Sequence, residues 1–228
     1  MTLTIISGAS RGIGKAIAED LNNKIDSKFL LLSSSIVNFK KYKKVFYTVS
    51  NLLKIHEDIK QVNIILCAAQ IGKYHSFELK ETEKLFKINV LGNLSVIAAV
   101  LSKGYFKLRI VWFAGGGAAF PYPEFFGYSI SKIAVVRAVE NLSIVGLLGK
   151  DSSIIALAPG AVETDMLKTV IDAGCEVRTR TDISESVNFV RKFITDEFDS
   201  LALNGMFLHV RDDITRHKKD IFKLRRIE

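Results

Sequence analysis

Tyr128 and Lys132 stand four residues apart in Tyr128-Ser129-Ile130-Ser131-Lys132, a stretch of helical pattern, so their side chains share one face. A phenol with a pKa of about 10 is a poor base at neutral pH. An ammonium beside it favours the phenolate and lowers that value, and the tyrosine can then exchange a proton with a substrate. Far upstream, Gly8-Ala9-Ser10-Arg11-Gly12-Ile13-Gly14 places three glycines between an apolar run at residues 2–7 and a helical pattern. In such a turn, backbone N–H groups and the positive end of a helix can approach a pyrophosphate closely. Glycines also serve ordinary tight turns; the position directly after a first strand is what favours a nucleotide.

These groups need elements to hold them. Short β-branched and aliphatic runs at residues 2–7, 28–33, 44–48, 63–68, 108–113, 153–157 and 206–210 alternate with helical patterns at 12–22, 52–60, 78–101, 128–148 and 184–195. Most of the runs are continuously apolar, as strands of a parallel sheet covered on both faces are. The alternation predicts right-handed βαβ units and hence an α/β fold, a doubly wound parallel sheet of about seven strands in a single domain. A chain of 228 residues, 48% of them apolar, is long enough for one well-filled core.

No apolar run reaches the ~20 residues needed to cross a bilayer. Residues 1–6 lead straight into the glycine turn without a basic segment, which reads as a first strand and not a signal peptide. Cys67 and Cys175 are too few and too far apart for a disulfide framework or a thiolate metal site, so a reducing, cytoplasmic setting and no metal are expected. The net charge of +8 gathers in Lys40-Lys41-Lys43-Lys44 and in a basic tail, residues 211–228. Solvated surface explains both, and a field that steers an acidic or phosphorylated partner is the alternative. Nothing resembles a helix-turn-helix, a zinc finger or an aromatic RNA platform, so neither nucleic acid nor membrane is expected as a partner.

The glycine spacing, one glycine, three residues, then Gly-x-Gly, resembles that of the short-chain dehydrogenase/reductase family, as does the Tyr128–Lys132 pair at its distance from the turn. The resemblance runs from Thr2 to about Val210 and leaves out the basic tail. It implies a Rossmann-type fold, a nicotinamide cofactor held at Gly8, Ser10, Arg11, Gly12, Ile13 and Gly14, and interconversion of a carbonyl and a secondary alcohol. Tyr128 is then the general acid/base, and Lys132 holds the nicotinamide ribose and tunes the phenol. Asn89, in Lys87-Ile88-Asn89-Val90-Leu91-Gly92, matches the family's organiser of a water-mediated proton relay; satisfying local backbone groups is its other reading. Ala158-Pro159-Gly160-Ala161-Val162-Glu163-Thr164 resembles the segment that borders the nicotinamide carboxamide, with Pro159 and Gly160 setting the turn. The Val162 backbone and the Thr164 hydroxyl would touch the cofactor there.

Sites selective for NAD commonly place an acid after the second strand. Here Ser33, Ser34 and Ser35 stand there instead. With Arg11 in the glycine turn they offer donors to a 2′-phosphate, so NADP(H) is expected over NAD(H), unless Arg11 merely points into solvent. Relatives assemble as homodimers or homotetramers through the tyrosine-bearing helix and the last strand, and the same is expected of this chain.

Three places depart from the family pattern. The fourth strand ends Cys67-Ala68-Ala69-Gln70 where the family has Asn-Asn-Ala-Gly, although small Ala68 and Ala69 still let an adenosine approach. An adenine-side aspartate, expected after the third strand, is replaced around Thr48-Val49-Ser50. The substrate-orienting serine falls on Gly115 by counting back from the tyrosine and on Ala114 by the strand end, and neither has a hydroxyl. Losing one such donor can cost about 10²–10³-fold in rate. A backbone N–H at Gly115, a hydroxyl on the substrate, or abandonment of redox chemistry would each account for it.

The expected function is an NADP(H)-dependent oxidoreductase acting on a small molecule, with nucleotide sugars and acyl thioesters among the candidates. The alternative is an NADP(H)-binding regulatory or scaffold protein of impaired catalysis. Arg178 and Arg180 could receive a phosphate or carboxylate or simply be solvated. Residues 120–126, rich in aromatics, are expected at the active-site approach or a subunit contact.

Overall fold

Runs such as Ile5-Ile6 and Ile64-Ile65-Leu66 are apolar on both faces, and each is covered on both sides. In the computed structural model, which describes residues 1–33, 37–53, 58–104, 107–177 and 180–214, the runs form strands β1 (Thr2–Ser7), β2 (Lys28–Leu32), β3 (Gln61–Leu66), β4 (Lys107–Phe113) and β5 (Ser153–Ala158). Two short strands, β6 (Ala161–Val162) and β7 (Arg180–Thr181), pair only with each other, and β8 (Phe207–His209) completes the main sheet. Its order is β2-β1-β3-β4-β5-β8, and every pairing is parallel. The chain moves outward from β1 to β2, then passes back to β3 and continues the other way. That reversal opens a crevice at the C-terminal ends of β1 and β3, where sheets of this kind bind ligands.

The helices are α1 (Gly12–Lys24), α2 (Tyr42–Leu53), α3 (Leu79–Phe86), α4 (Asn93–Leu101), α5 (Gly116–Ala119), α6 (Phe126–Ile144), α7 (Asp165–Asp172) and α8 (Ile183–Ile194). One face of the sheet is covered by α1 and α8, which bury Ile17, Leu21, Val190 and Phe193. On the other face α2, α4 and α6 bury Val45, Val49, Val96, Ile97, Val135 and Val139. A π-helical segment, Lys87–Gly92, joins α3 to α4 without a break. By length and composition alone the resulting helix, Leu79–Leu101, could cross a membrane, but 56% of its most apolar window is buried inside the fold, as in a core helix.

The α/β doubly wound architecture is the one expected, with two corrections. Residues 44–48, expected as a strand, lie within α2, and of the helix expected at 52–60 only Leu52 and Leu53 are helical, residues 54–57 lying outside the described ones. The physical reason is periodicity. Val45, Val49 and Leu53 recur every fourth residue and are buried, while Tyr47 between them is 65% exposed. Packing on α4 overrides the strand preference of the β-branched and aromatic side chains.

The main sheet therefore has six strands among the described residues, and β2 is its edge. Thr48-Val49-Ser50, expected beside the adenine after a third strand, is helical instead, with Val49 fully buried. Of the basic tail, residues 211–214 are described, and the rest, with Ser34 and Arg178, lies outside the described residues.

Candidate active site

The glycine turn is built by close approach. Gly8 leaves β1 at φ +71°, and a Cβ on it would stand 2.8 Å from the Ala68 backbone nitrogen at the end of β3. The Gly8 N–H donates to the Leu32 carbonyl at 2.8 Å, which ties the turn to the end of β2. A Cβ on Gly14 would overlap the Gly8 carbonyl, so α1 starts directly behind the turn. Ser10 and Arg11 are exposed, Ile13 packs into the core under α1, and no side chain caps the start of α1. The first-turn N–H groups are thus aimed at the crevice. Arg11 does not stand alone: its guanidinium donates to Asp165 at 3.0 Å, both side chains being exposed. A Cβ on Gly12 would touch Thr164 at 3.3 Å, so the segment between β6 and α7 rests on the turn. Ser33 is buried just past β2, its carbonyl accepting from the Val37 N–H at 2.8 Å.

Beyond β3, a hydrogen-bond network fixes the floor of the crevice. Ser7 Oγ donates to Asn93 Oδ1 at 2.7 Å and accepts from the Ala68 N–H at 3.1 Å, and Asn93 Nδ2 returns to the Ala68 carbonyl at 2.8 Å. Asn93 Nδ2 also reaches the Ile88 and Asn89 carbonyls, at 3.3 and 3.2 Å, in the π-helical segment, whose wider turn lets carbonyls find other partners. Asn89 is fully buried. Its Oδ1 accepts from the Gln70 N–H at 2.8 Å, and its Nδ2 donates to the Gln70 carbonyl and to Ser131 Oγ, both at 2.9 Å. Ser131 in turn donates to the Tyr128 carbonyl at 2.7 Å. Ser7, Asn93 and Ser131 were not among the expected site residues; the four-residue spacing of Asn89 and Asn93 was the available signal.

Tyr128 and Lys132 lie on the inner face of α6, 9% and 3% exposed. Lys132 Nζ donates to the Phe113 carbonyl at 2.8 Å and sits 5.5 Å from the centre of the Tyr128 ring. Burial draws the Lys132 pKa down to about 8, opposed in part by the Cys67 thiol. Burial likewise holds the Tyr128 phenol above its ordinary value, with Tyr122 adding to the effect. Without a ligand, desolvation outweighs the downward pull expected from the ammonium. Burial also raises the Cys67 thiol, which is therefore unreactive. Of the two positions considered for the missing hydroxyl, Gly115 is the one at the phenol: a Cβ there would lie 3.0 Å from Tyr128 Oη. Ala114 is buried in the core, and its N–H donates to the Leu157 carbonyl at 2.9 Å.

The remaining wall comes from the segments after β5 and before α6. Val162 is buried, and the Thr164 hydroxyl donates to its carbonyl at 3.1 Å while accepting from the Leu167 N–H at 3.4 Å as the cap of α7. Ile71, Phe125 and Tyr128 form a small apolar cluster against which Tyr122, Met166, Val170, Ala173 and Cys175 pack. The aromatic stretch at 120–126 thus contributes Tyr122 and Phe125 to the approach, while Phe120 is 62% exposed. Burial, with the Cys175 thiol adding to it, pushes the Tyr122 pKa up to about 12. Arg180 is held by Glu163 at 2.7 Å.

The glycine turn at the switch point and the buried Tyr–Lys pair across the crevice invite comparison with known proteins. A family model described as short chain dehydrogenase matches residues 37–175. The chain belongs to the short-chain dehydrogenase family. The matched region includes Asn89, Tyr128, Lys132 and the Pro159–Thr164 segment and begins after the glycine turn. This short-chain dehydrogenase is accordingly an oxidoreductase of a nicotinamide-using family. No curated protein matches it.

Among solved structures it is similar to levodione reductase (TM-score 0.70, 20% identity, 91% of this chain and 95% of that one covered). It is also similar to a 3-ketoacyl-(acyl-carrier-protein) reductase from Brucella melitensis complexed with NADH (0.73, 17%, 92% and 96%). A third is 4-hydroxyisoleucine dehydrogenase complexed with NADH (0.71, 14%, 92% and 96%). At these identities the likeness is one of fold.

Proposed function

We propose that this short-chain dehydrogenase interconverts a carbonyl and a secondary alcohol on a small molecule with NADP(H), and that Tyr128 moves the proton. The observation that carries the reading is Tyr128 Oη beside Gly115 at the end of β4, with Lys132 buried one helical turn on. The chain fits a dinucleotide, because Gly8 and Gly14 leave a cradle that a Cβ would fill and α1 starts without a side-chain cap. Gly8, Ser10, Gly12, Ile13 and Gly14 would hold the pyrophosphate, Ala68 and Ala69 would face the adenosine, and Pro159, Gly160, Val162 and Thr164 would hold the nicotinamide end. When bound, the cofactor supplies or accepts the hydride.

In the reducing direction Tyr128 Oη gives its proton to the substrate oxygen, and burial keeps the phenol in the neutral form this needs. Lys132 holds the ribose, and its ammonium favours the phenolate left behind. Asn89 spends its side chain on Gln70 and Ser131, so it acts by fixing α6 against the end of β3, and its carbonyl, which accepts from Asn93 Nδ2 at 3.2 Å, keeps a second lone pair for a proton relay. Gly115 has no hydroxyl and offers its backbone N–H to the substrate oxygen.

The preference for NADP(H) is supported by the absence of an acid in Ser33-Ser34-Ser35 and by Arg11 on the turn. NADH, named with two of the similar structures, is the alternative. Half-buried Ile130, Ile133, Ala134 and Ala138 along α6 support self-association through that helix, and two free cysteines support a reducing, cytoplasmic setting.

A screen of carbonyls and alcohols with NADPH and NADH tests the reading. Tyr128→Phe is expected to lower kcat about 10²–10⁴-fold with dinucleotide affinity little changed. Tight dinucleotide binding with turnover indifferent to Tyr128→Phe would assign the chain a regulatory or scaffold role instead.

A further inference from the structure

The oxidoreductase reading requires a substrate oxygen to meet Tyr128 Oη, and the carbon skeleton attached to it must then lie against whatever surrounds that phenol. What surrounds it is apolar. Ile71 follows β3, Phe125 precedes α6, Met166 and Val170 lie on the inner face of α7, and all belong to one cluster with Tyr128 itself. The Phe125 ring is buried and lies 5.3 Å, centre to centre, from that of Tyr122. The polar atoms this wall carries are the Tyr122 hydroxyl and the Cys175 thiol.

Among the described residues the cations near this wall are turned to other partners or to solvent. Lys132 donates to the Phe113 carbonyl and is the group assigned to the ribose, Arg180 pairs with Glu163 at 2.7 Å, and Arg211 donates to Glu185 at 2.9 Å and the Arg180 carbonyl at 2.6 Å. Lys168, Asp172 and Glu176 are exposed, so the one cation among them faces water and not the cluster. A carboxylate or phosphate beside the reacting carbon would lose its water and gain no partner. An apolar skeleton would add contact area to both walls.

We propose that the substrate is an uncharged ketone, or the matching secondary alcohol, whose skeleton is apolar and seated between Phe125 and Tyr122 on one side and Met166 and Val170 of α7 on the other. The inference rests on the oxidoreductase reading. In reduction the carbonyl carbon gains hydride from NADPH, which becomes NADP⁺, and the oxygen gains the Tyr128 proton, which solvent replaces. Specificity then lives on α7. Of its side chains only Leu167 is fully buried, so the wall is held by few contacts and can adjust to the width of the guest.

The test uses the full chain with NADPH and three probes: α-tetralone, acetoacetate and dihydroxyacetone phosphate. The expected result is a kcat/KM for α-tetralone at least about 100-fold above either anion, narrowed tenfold or more by Val170→Arg. Ile171→Arg, one residue on and 39% exposed, controls for folding and for added charge and should leave the ratio alone. Binding is followed separately, as the rise in Tm that α-tetralone causes in the Tyr128→Phe protein with NADPH.

Turnover of acetoacetate or dihydroxyacetone phosphate equal to or above that of α-tetralone overturns the substrate class and leaves the oxidoreductase reading standing. A Tm rise that Val170→Arg removes, without turnover of any probe, supports the apolar seat and removes the redox reading. Neither turnover nor a Tm rise overturns the proposal.

Discussion

At Gly115 the backbone adopts φ +126°, a region that side chains rarely enter, and the phenol oxygen of Tyr128 lies 3.0 Å from where a Cβ would be. A side chain there must strain the backbone and push the phenol aside. Gly115→Ala is therefore expected to cost about 1–3 kcal/mol of stability, read by urea denaturation. Gly115→Ser should slow turnover even though it restores the family's hydroxyl. Counting back from the tyrosine reached Gly115 and the strand end reached Ala114; only the contact with Tyr128 separates them. Arg11 was legible in the same partial way. Its place in the glycine turn is plain from its neighbours, but its partner Asp165 comes from a segment distant in sequence, and no local pattern announces a pairing of that kind. Since that exposed pair competes with any 2′-phosphate for the guanidinium, Asp165→Ala should tighten NADPH binding by up to about fivefold and leave NADH unaffected, as titration calorimetry would show.

The π-helical segment and α2 are the elements whose form depends on what they pack against. In the first, Asn93 bridges β1, the end of β3 and the carbonyls that the wide turn releases. Asn93→Ala leaves the Ala68 carbonyl and the Ser7 hydroxyl without that partner, at a cost of about 1–3 kcal/mol. Because Asn89 sits on the same segment and steadies α6, kcat should fall more than KM rises, a split that steady-state kinetics can measure. Strands β1, β3, β4 and β5 and helices α1 and α8 are readable because their apolar runs or periods agree with their burial. In α2 the two signals conflict. Lys44-Val45-Phe46-Tyr47-Thr48 is rich in strand-forming side chains, and it is helical because Val45, Val49 and Leu53 face the apolar surface of α4. The third strand of the expected sheet was lost to that contact, and with it the expected position of Thr48-Val49-Ser50 beside the adenine.

For the molecule as a whole, the buried lysine ties stability to pH. Lys132 titrates at about 8 in the folded protein against an ordinary 10.5. Below the lower value both folded and unfolded chains carry the proton, and the fold bears the burial of a charge. Between the two values the unfolded chain binds a proton that the folded one has released, so stability rises with pH. Cys67 and Tyr128, both pushed up by burial, work in the opposite direction at the alkaline end, since they ionise first in the unfolded chain. The difference in denaturation free energy between wild type and Lys132→Met isolates the lysine, and it should move in favour of the wild type from about pH 7.5 to about pH 10. A difference that stays flat across that range would place the lysine in water.

The sheet order has a consequence for how the molecule is made. β2 joins one side of β1, and β3, β4, β5 and β8 then join in turn on the other, each beside the strand before it. No strand has to be threaded between two that are already paired. A chain leaving the ribosome can lay down its sheet by addition at a growing edge, each new strand after β2 closing a crossover of roughly forty to sixty residues. Both strands that flank the crevice have emerged by Leu66, long before Tyr128. In the order of synthesis, the glycine turn and the two strands at the switch point exist before Tyr128 does.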